Sequence, residues 1–157
     1  MTYVYLGIIL FAGTHLFSML LPAARDKLKA QFGEYAFKGL YSAAGLTGIG
    51  LMVYGYSNAW ATGDGITPVY DPPAWGRHVA MLFVLLGFIL IGASHGKGHL
   101  KSWLRSPMSI GVALWALGHL LANGFKLDLW IFGTFLVIGI LDVILCAMRG
   151  KVPTHEP

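Results

Sequence analysis

Pro-Met-Ser-Ile-Gly-Val-Ala-Leu-Trp-Ala-Leu-Gly-His-Leu-Leu-Ala-Asn-Gly, residues 107 to 124, is an apolar run opened by a proline and closed by a glycine. An uncharged stretch of this length, rising about 1.5 Å per residue, can just cross a bilayer as a helix. His119 stands about two-thirds of the way along it. Hydrocarbon offers an imidazole no water, so this side chain must face protein, a cofactor or a cavity. An ionisable group inside a membrane segment is a functional-site hypothesis by default. The reading therefore works outward from His119.

Composition fixes the solvent. Of 157 residues, 56% are hydrophobic and only 11% charged, against roughly a quarter charged in an ordinary soluble domain. Mean hydropathy is +0.66, which is the composition of an integral membrane protein. The net charge of +4 does not indicate nucleic acid, because the basic residues lie in short connections and form no stripe. Cys146 is the only cysteine, which excludes an intrachain disulfide and a Cys-x-x-Cys-His site for covalent haem.

The rest of the chain predicts an all-α bundle of five transmembrane helices in a single domain, residues 1 to 157. Residues 3 to 21 form the first span. No lysine or arginine precedes it, so it is expected to be retained rather than cleaved as a secretory signal. Residues 23 to 38 are polar and predict an interfacial helix interrupted near Gly33. The second span, about 39 to 60, holds Ala44, Gly45, Gly48, Gly50 and Gly55, small residues that let membrane helices approach closely. Residues 61 to 77, with Gly63-Asp64-Gly65 and Asp71-Pro72-Pro73, read as a loop. A third span, 78 to 94, leads through His95-Gly-Lys-Gly-His99 back to water. The fifth runs from about 129 to 147 and carries Asp142.

Lysine and arginine accumulate in cytoplasmic loops. One side of the five-span topology collects Arg25, Lys27, Lys29, Lys38, Lys97, Lys101, Arg105, Arg149 and Lys151, the other only Arg77 and Lys126. This predicts an outer N-terminus and a cytoplasmic C-terminus, with Trp60, Trp75 and Trp130 near the outer interface. His15 then lies roughly 10 Å, and His119 roughly 18 Å, from the cytoplasmic ends of their spans.

Two imidazoles on different helices, about two turns apart in depth, suit a b-type haem held edge-on between helices. The alternative is one interhelical hydrogen bond each, worth roughly 0.6 kcal/mol. His95 and His99 have the i, i+4 spacing of a zinc pair, but the intervening glycines favour a solvated loop. Arg77 and His78, at a loop-to-helix junction, are candidates for a haem propionate, or in the case of His78 for replacing an axial ligand, with capping and interface contacts as the plainer roles. Asp142 is placed to orient His15 or to pair with Lys38 or Arg25. His155 falls in a polar tail.

Several motifs carry a family resemblance: Phe11-Ala-Gly-Thr-His15, Gly33-Glu34 with Phe37-Lys38 and Tyr41-Ser42, Pro72-Pro73-Ala-Trp75-Gly-Arg77-His78, and Leu114-Trp115-Ala-Leu-Gly-His119-Leu-Leu-Ala-Asn123-Gly124. Over nearly its whole length the chain resembles the NnrU family of denitrifying bacteria, which is similar to the 15-cis-zeta-carotene isomerase of plants and cyanobacteria, a membrane enzyme using haem b. The resemblance implies a bacterial inner-membrane protein with non-covalent haem b, whose axial ligands match His15 and His119.

Three functions follow as expectations. One is haem-dependent cis-trans isomerisation of a conjugated lipid such as zeta-carotene, with His119 as the catalytic, displaceable ligand. The second is a non-catalytic haem redox or nitric-oxide-responsive module linked to denitrification. The third is a haem-free scaffold. The chain carries no dinucleotide fingerprint to deliver electrons, which favours redox-neutral isomerisation. The expected partners are membrane lipid and a hydrophobic polyene, not nucleic acid.

Overall fold

The computed structural model describes residues 1–150 and is all-helical. Lys151 and His155 lie outside the described residues. The chain divides into two compact units, Met1–Thr67 and the part from Pro68 onward.

The first unit is a helical hairpin. Helix α1 (Thr2–Leu20) is the first apolar run, and α2 (Pro22–Phe32) starts afresh because Pro22 takes its first position, where a missing N–H costs nothing. Gly33, with φ 88°, ends α2, and α3 (Glu34–Thr62) runs to Gly63 in the left-handed conformation. The interruption expected at Gly33 is therefore a true helix boundary. The second span begins about a turn before its apolar part, in an exposed stretch where Lys38 pairs with Glu34 at 2.8 Å.

The second unit contains α4 (Gly76–Ser94), the short α5 (His99–Trp103), α6 (Pro107–Ala122) and α7 (Lys126–Met148). Helices α1, α3, α4 and α7 are each long and apolar enough to cross a membrane, while α6 has 16 residues and is the short member of the five expected spans. Outward faces carry Ile9, Leu46 and Met81, each at least 68% exposed, as lipid-facing side chains must be. The protein is an α-helical membrane protein.

Glycine notches set the packing inside each unit. A methyl group on Gly7 would stand 2.6 Å from the carbonyl oxygen of Gly48, and one on Gly55 would stand 2.6 Å from Val4 Cγ2. These contacts make α1 and α3 antiparallel neighbours. In the second unit a methyl group on Gly87 would meet the Gly111 carbonyl at 2.8 Å, and one on Gly118 would meet Val84 Cγ2 at 3.4 Å. The correspondence is positional: Tyr3, Val4, Gly7 and Phe11 match Phe83, Val84, Gly87 and Ile91, each 80 residues on, while Gly48 and Gly55 match Gly111 and Gly118, each 63 residues on. The chain contains a tandem repeat of one helical hairpin. Helix α7 is added to the second copy, antiparallel to α6, with Gly139 against Ser109 and Ala113.

In each hairpin the basic residues gather at the turn: Arg25, Lys27 and Lys29 in and around α2, and Lys97 and Arg105 flanking α5. The other end of the second unit is closed by residues 68 to 75. Val69 N–H donates to the Gly124 carbonyl at 2.8 Å, and the Tyr70 hydroxyl lies between the carbonyls of Leu120 and Asn123, the latter at 2.6 Å. These carbonyls belong to the end of α6, where the helix leaves them without an internal donor.

Candidate functional site

His15 projects from α1 and is half-buried. Its Nδ1 lies 2.8 Å from the carbonyl oxygen of Phe11, one turn back. A carbonyl only accepts, so the proton resides on Nδ1 and Nε2 keeps its lone pair. The ring stacks on Phe11 at 4.1 Å and is tilted against Tyr41 at 5.8 Å. Opposite, Gly45 of α3 presents no side chain, and a methyl group there would come within 4.0 Å of His15 Cε1. An apolar pocket of about 400 Å³ adjoins, lined among others by Gly13, Phe17, Phe32 and Tyr41. Thr14 turns its hydroxyl back onto α1, donating to the Leu10 and Phe11 carbonyls.

His119 lies one turn from the end of α6 and is also half-buried. Its ring is parallel to Phe132 of α7, with centroids 4.3 Å apart and planes at 2°, and Trp115 approaches edge-on at 4.9 Å. Trp115 in turn meets Phe132 and Phe135 edge-on. Such ring pairs contribute about 0.5–1.5 kcal/mol each beyond area burial. Among the described residues neither ring nitrogen of His119 has a hydrogen-bond partner. Two residues beneath this cluster were not singled out from sequence. Asp128, 2% exposed, accepts from the Phe125 N–H at 3.3 Å and lies close enough to His119 and Tyr70 for their charges to interact. Burial, and secondarily the Asp128 charge, push the Tyr70 phenol above its usual value.

The remaining sequence candidates separate. Arg77 and His78 are exposed in the first turn of α4. They share an end of the second unit with His119, because Gly76 abuts Leu121 and Gly118 abuts Ala80. His95 follows the last turn of α4, whereas His99 opens α5, so the pair does not share one helix as a zinc site of that spacing requires. Among the described residues no three His, Cys, Asp or Glu side chains converge as a metal site. Asp142 accepts a hydrogen bond from the Ser109 hydroxyl, Lys38 pairs with Glu34, and Arg25 with Asp26 at 3.0 Å. The orienting acceptor expected of Asp142 is the Phe11 carbonyl.

The donor chemistry fits a haem. Each histidine offers one imidazole nitrogen in an aromatic, apolar setting, and a porphyrin supplies the four equatorial nitrogens itself. The apolar pocket is lined by Thr14 and Tyr41, which neighbour His15. A family model described as NnrU protein matches residues 3–156. No curated protein and no protein of solved structure matches the chain.

Proposed function

From the chain's membership of the NnrU family, shown by a match over residues 3–156, we propose that it is a multi-pass membrane haemoprotein that isomerises a conjugated lipid, with His15 and His119 as the residues that would hold a b-type haem. The observation that carries this reading is the His15 Nδ1 bond to the Phe11 carbonyl at 2.8 Å. Ligating histidines characteristically donate their other ring N–H to a carbonyl or carboxylate, which fixes the tautomer and raises the basicity of the ligating nitrogen.

The two histidines are held differently. His15 is fixed by a hydrogen bond and by stacking, whereas His119 is held only by the faces and edges of Phe132 and Trp115. His119 would therefore be the more weakly held of the two ligands, since its ring can turn about χ1 and χ2 without breaking a hydrogen bond. A haem held by His15 and His119 would supply an iron able to lower the barrier to rotation about a carbon–carbon double bond. Phe132, Trp115 and Phe135 give a polyene an aromatic wall and keep water out. Arg77 and His78, exposed at the same end as His119, are suited to the propionate carboxylates. Isomerisation leaves the substrate's oxidation level unchanged, so the chain needs no stoichiometric electron donor.

Purified protein should show a low-spin haem spectrum, and His119→Ala should convert it to high spin while retaining haem. Reduced protein should bind carbon monoxide at His119's position and change the geometry of a cis polyene. Reversible redox cycling with neither carbon monoxide binding nor polyene conversion would replace the isomerase with a redox module. Protein that never takes up haem would reduce it to a scaffold.

A further inference from the structure

His15 and His95 each place Nδ1 on the carbonyl one turn back, that of Phe11 at 2.8 Å and that of Ile91 at 3.0 Å. His119 does not. Among the described residues neither of its ring nitrogens has a hydrogen-bond partner, although the ring is half-buried against Phe132 and Trp115. The complementary group stands on α7. Asp128, 2% exposed, is the one charged side chain buried among the described residues. Its Oδ2 accepts the Phe125 N–H at a long 3.3 Å, and among the described residues no lysine or arginine pairs with it. A carboxylate withdrawn from water needs donors around it, and one long bond to an amide does not meet that need.

Position brings the two groups together. Asp128 and Phe132 are four residues apart and share a face of α7, and Phe132 lies parallel to the His119 ring with centroids 4.3 Å apart. The carboxylate and the imidazole are near enough for their charges to interact. Tyr70, the other donor at this end, has its hydroxyl engaged by the Leu120 and Asn123 carbonyls. We propose, resting on His119 as a haem ligand, that Asp128 is its positioning residue: the carboxylate accepts the N–H of the ring nitrogen that does not ligate, and so presents the other nitrogen with its lone pair. The ring can turn into that contact without breaking a hydrogen bond. For His15 the Phe11 carbonyl does this from the same helix. A carboxylate on a neighbouring helix does more, because its charge makes the opposite nitrogen more basic. Capping of α7 is the plainer role for Asp128, and the Phe125 bond uses one of its two oxygens for it.

In the haem-free full chain at about pH 8, where an ordinary imidazole is neutral, diethyl pyrocarbonate acylates the free ring nitrogen, and mass spectrometry follows His119 with His15 as reference. Asp128→Asn keeps an oxygen for the Phe125 N–H but removes the charged acceptor, and should slow His119 several-fold while leaving His15 unchanged. Asp128→Glu should restore the rate. With haem added, Asp128→Asn should bind it about 10–100-fold more weakly and raise its midpoint potential, because the carboxylate no longer favours the more positive iron, and Asp128→Glu should reverse both changes. Unchanged His119 reactivity in the asparagine variant overturns the proposal and leaves Asp128 as a cap, and equal loss in the glutamate variant overturns it in favour of packing. If wild type takes up no haem, the haem reading falls, while the reactivity comparison still decides the Asp128 contact. Should the asparagine variant not fold, His119→Phe, which keeps a ring on Phe132, tests the pair from the other side: the carboxyl carbon resonance of Asp128 should shift, and an unmoved resonance overturns the contact.

Discussion

The α1–α3 and α4–α6 hairpins are built on one plan yet face different tasks. Both close their helices through glycines at matching positions, and both carry a hydroxyl residue followed by a histidine at matching positions, within α1 in the first and at the end of α4 in the second. Thr14 and Ser94 each donate to the carbonyl one turn back, and His15 and His95 each place Nδ1 on that same carbonyl, at 2.8 and 3.0 Å. The surroundings then diverge. His15 has five more residues of α1 beyond it and lies against Phe11, Tyr41 and Gly45, whereas His95 lies beyond the last turn of α4, exposed, beside two arginines. His119 has Tyr56 at its repeat-equivalent place on α3, and only the second hairpin has an α7 to stack Phe132 on that position. Packing is thus encoded by glycines common to both copies. Chemistry is encoded by what each copy adds around them.

The sharpest way to break this comparison is to treat the two equivalent histidines alike. His15→Ala should abolish haem binding, with added imidazole restoring it, and His95→Ala should leave the absorption spectrum unchanged. The reverse pattern would place the ligand in the second copy. A smaller effect tests the shared packing. Gly48→Ala and Gly111→Ala put a methyl group within 3.0 Å of a facing carbonyl and should each cost about 1–3 kcal/mol as overpacked contacts. Gly50→Ala, with nothing within 4 Å of the added carbon, should be neutral or stabilise by up to about 1 kcal/mol. Unfolding in mixed micelles measures all three, and equal losses at positions 48 and 50 would put the notch in the wrong place.

The smallest effect belongs to the closing segment found only in the second unit. Tyr70→Phe removes the donor shared by the Leu120 and Asn123 carbonyls and should cost about 0.5–1.5 kcal/mol. Because the phenol's folded value lies above its unfolded value of 10.0, its contribution is fully present below pH 10. It is lost as pH rises through the folded value, where the phenolate can no longer donate. Wild type and Tyr70→Phe should therefore converge in stability at strongly alkaline pH. A gap that stays constant across that range would show that the stabilisation does not come from the proton the phenol donates.

Much of this was legible in the chain. Apolar runs, Pro22, Gly33 and Pro107 marked helix ends within a few residues, and His15 and His119 stood out as imidazoles in apolar helices. The repeat was also written in the spacing, since Gly7 precedes His15 by the interval that separates Gly87 from His95. It was masked because Phe11 and Ile91, or Met52 and Trp115, share a position without sharing a residue type. Asp142 was misread because a carboxylate near a helix end carries no sign of its partner, and the Phe11 carbonyl that orients His15 is backbone, invisible to any reading of side-chain types. Asp128 was not singled out, because nothing in the sequence marks a first-turn acid as buried. Only the fold of residues 68 to 75 against the α6–α7 turn shows why it is buried.

Sixteen residues give α6 a rise of about 24 Å, short of the roughly 30 Å hydrocarbon layer. Hydrophobic mismatch of this size is ordinarily met by tilt or by thinning of the bilayer. Here the chain leaves the helix instead: residues 123 to 125 turn out of α6 beside the segment carrying Val69 and Tyr70, which supplies donors to the Asn123 and Gly124 carbonyls. Non-helical backbone next to apolar helices needs its polar groups paired, and these contacts pair them. The second unit thereby acquires, next to His119, a patch of polar main chain that a continuous helix would have denied it.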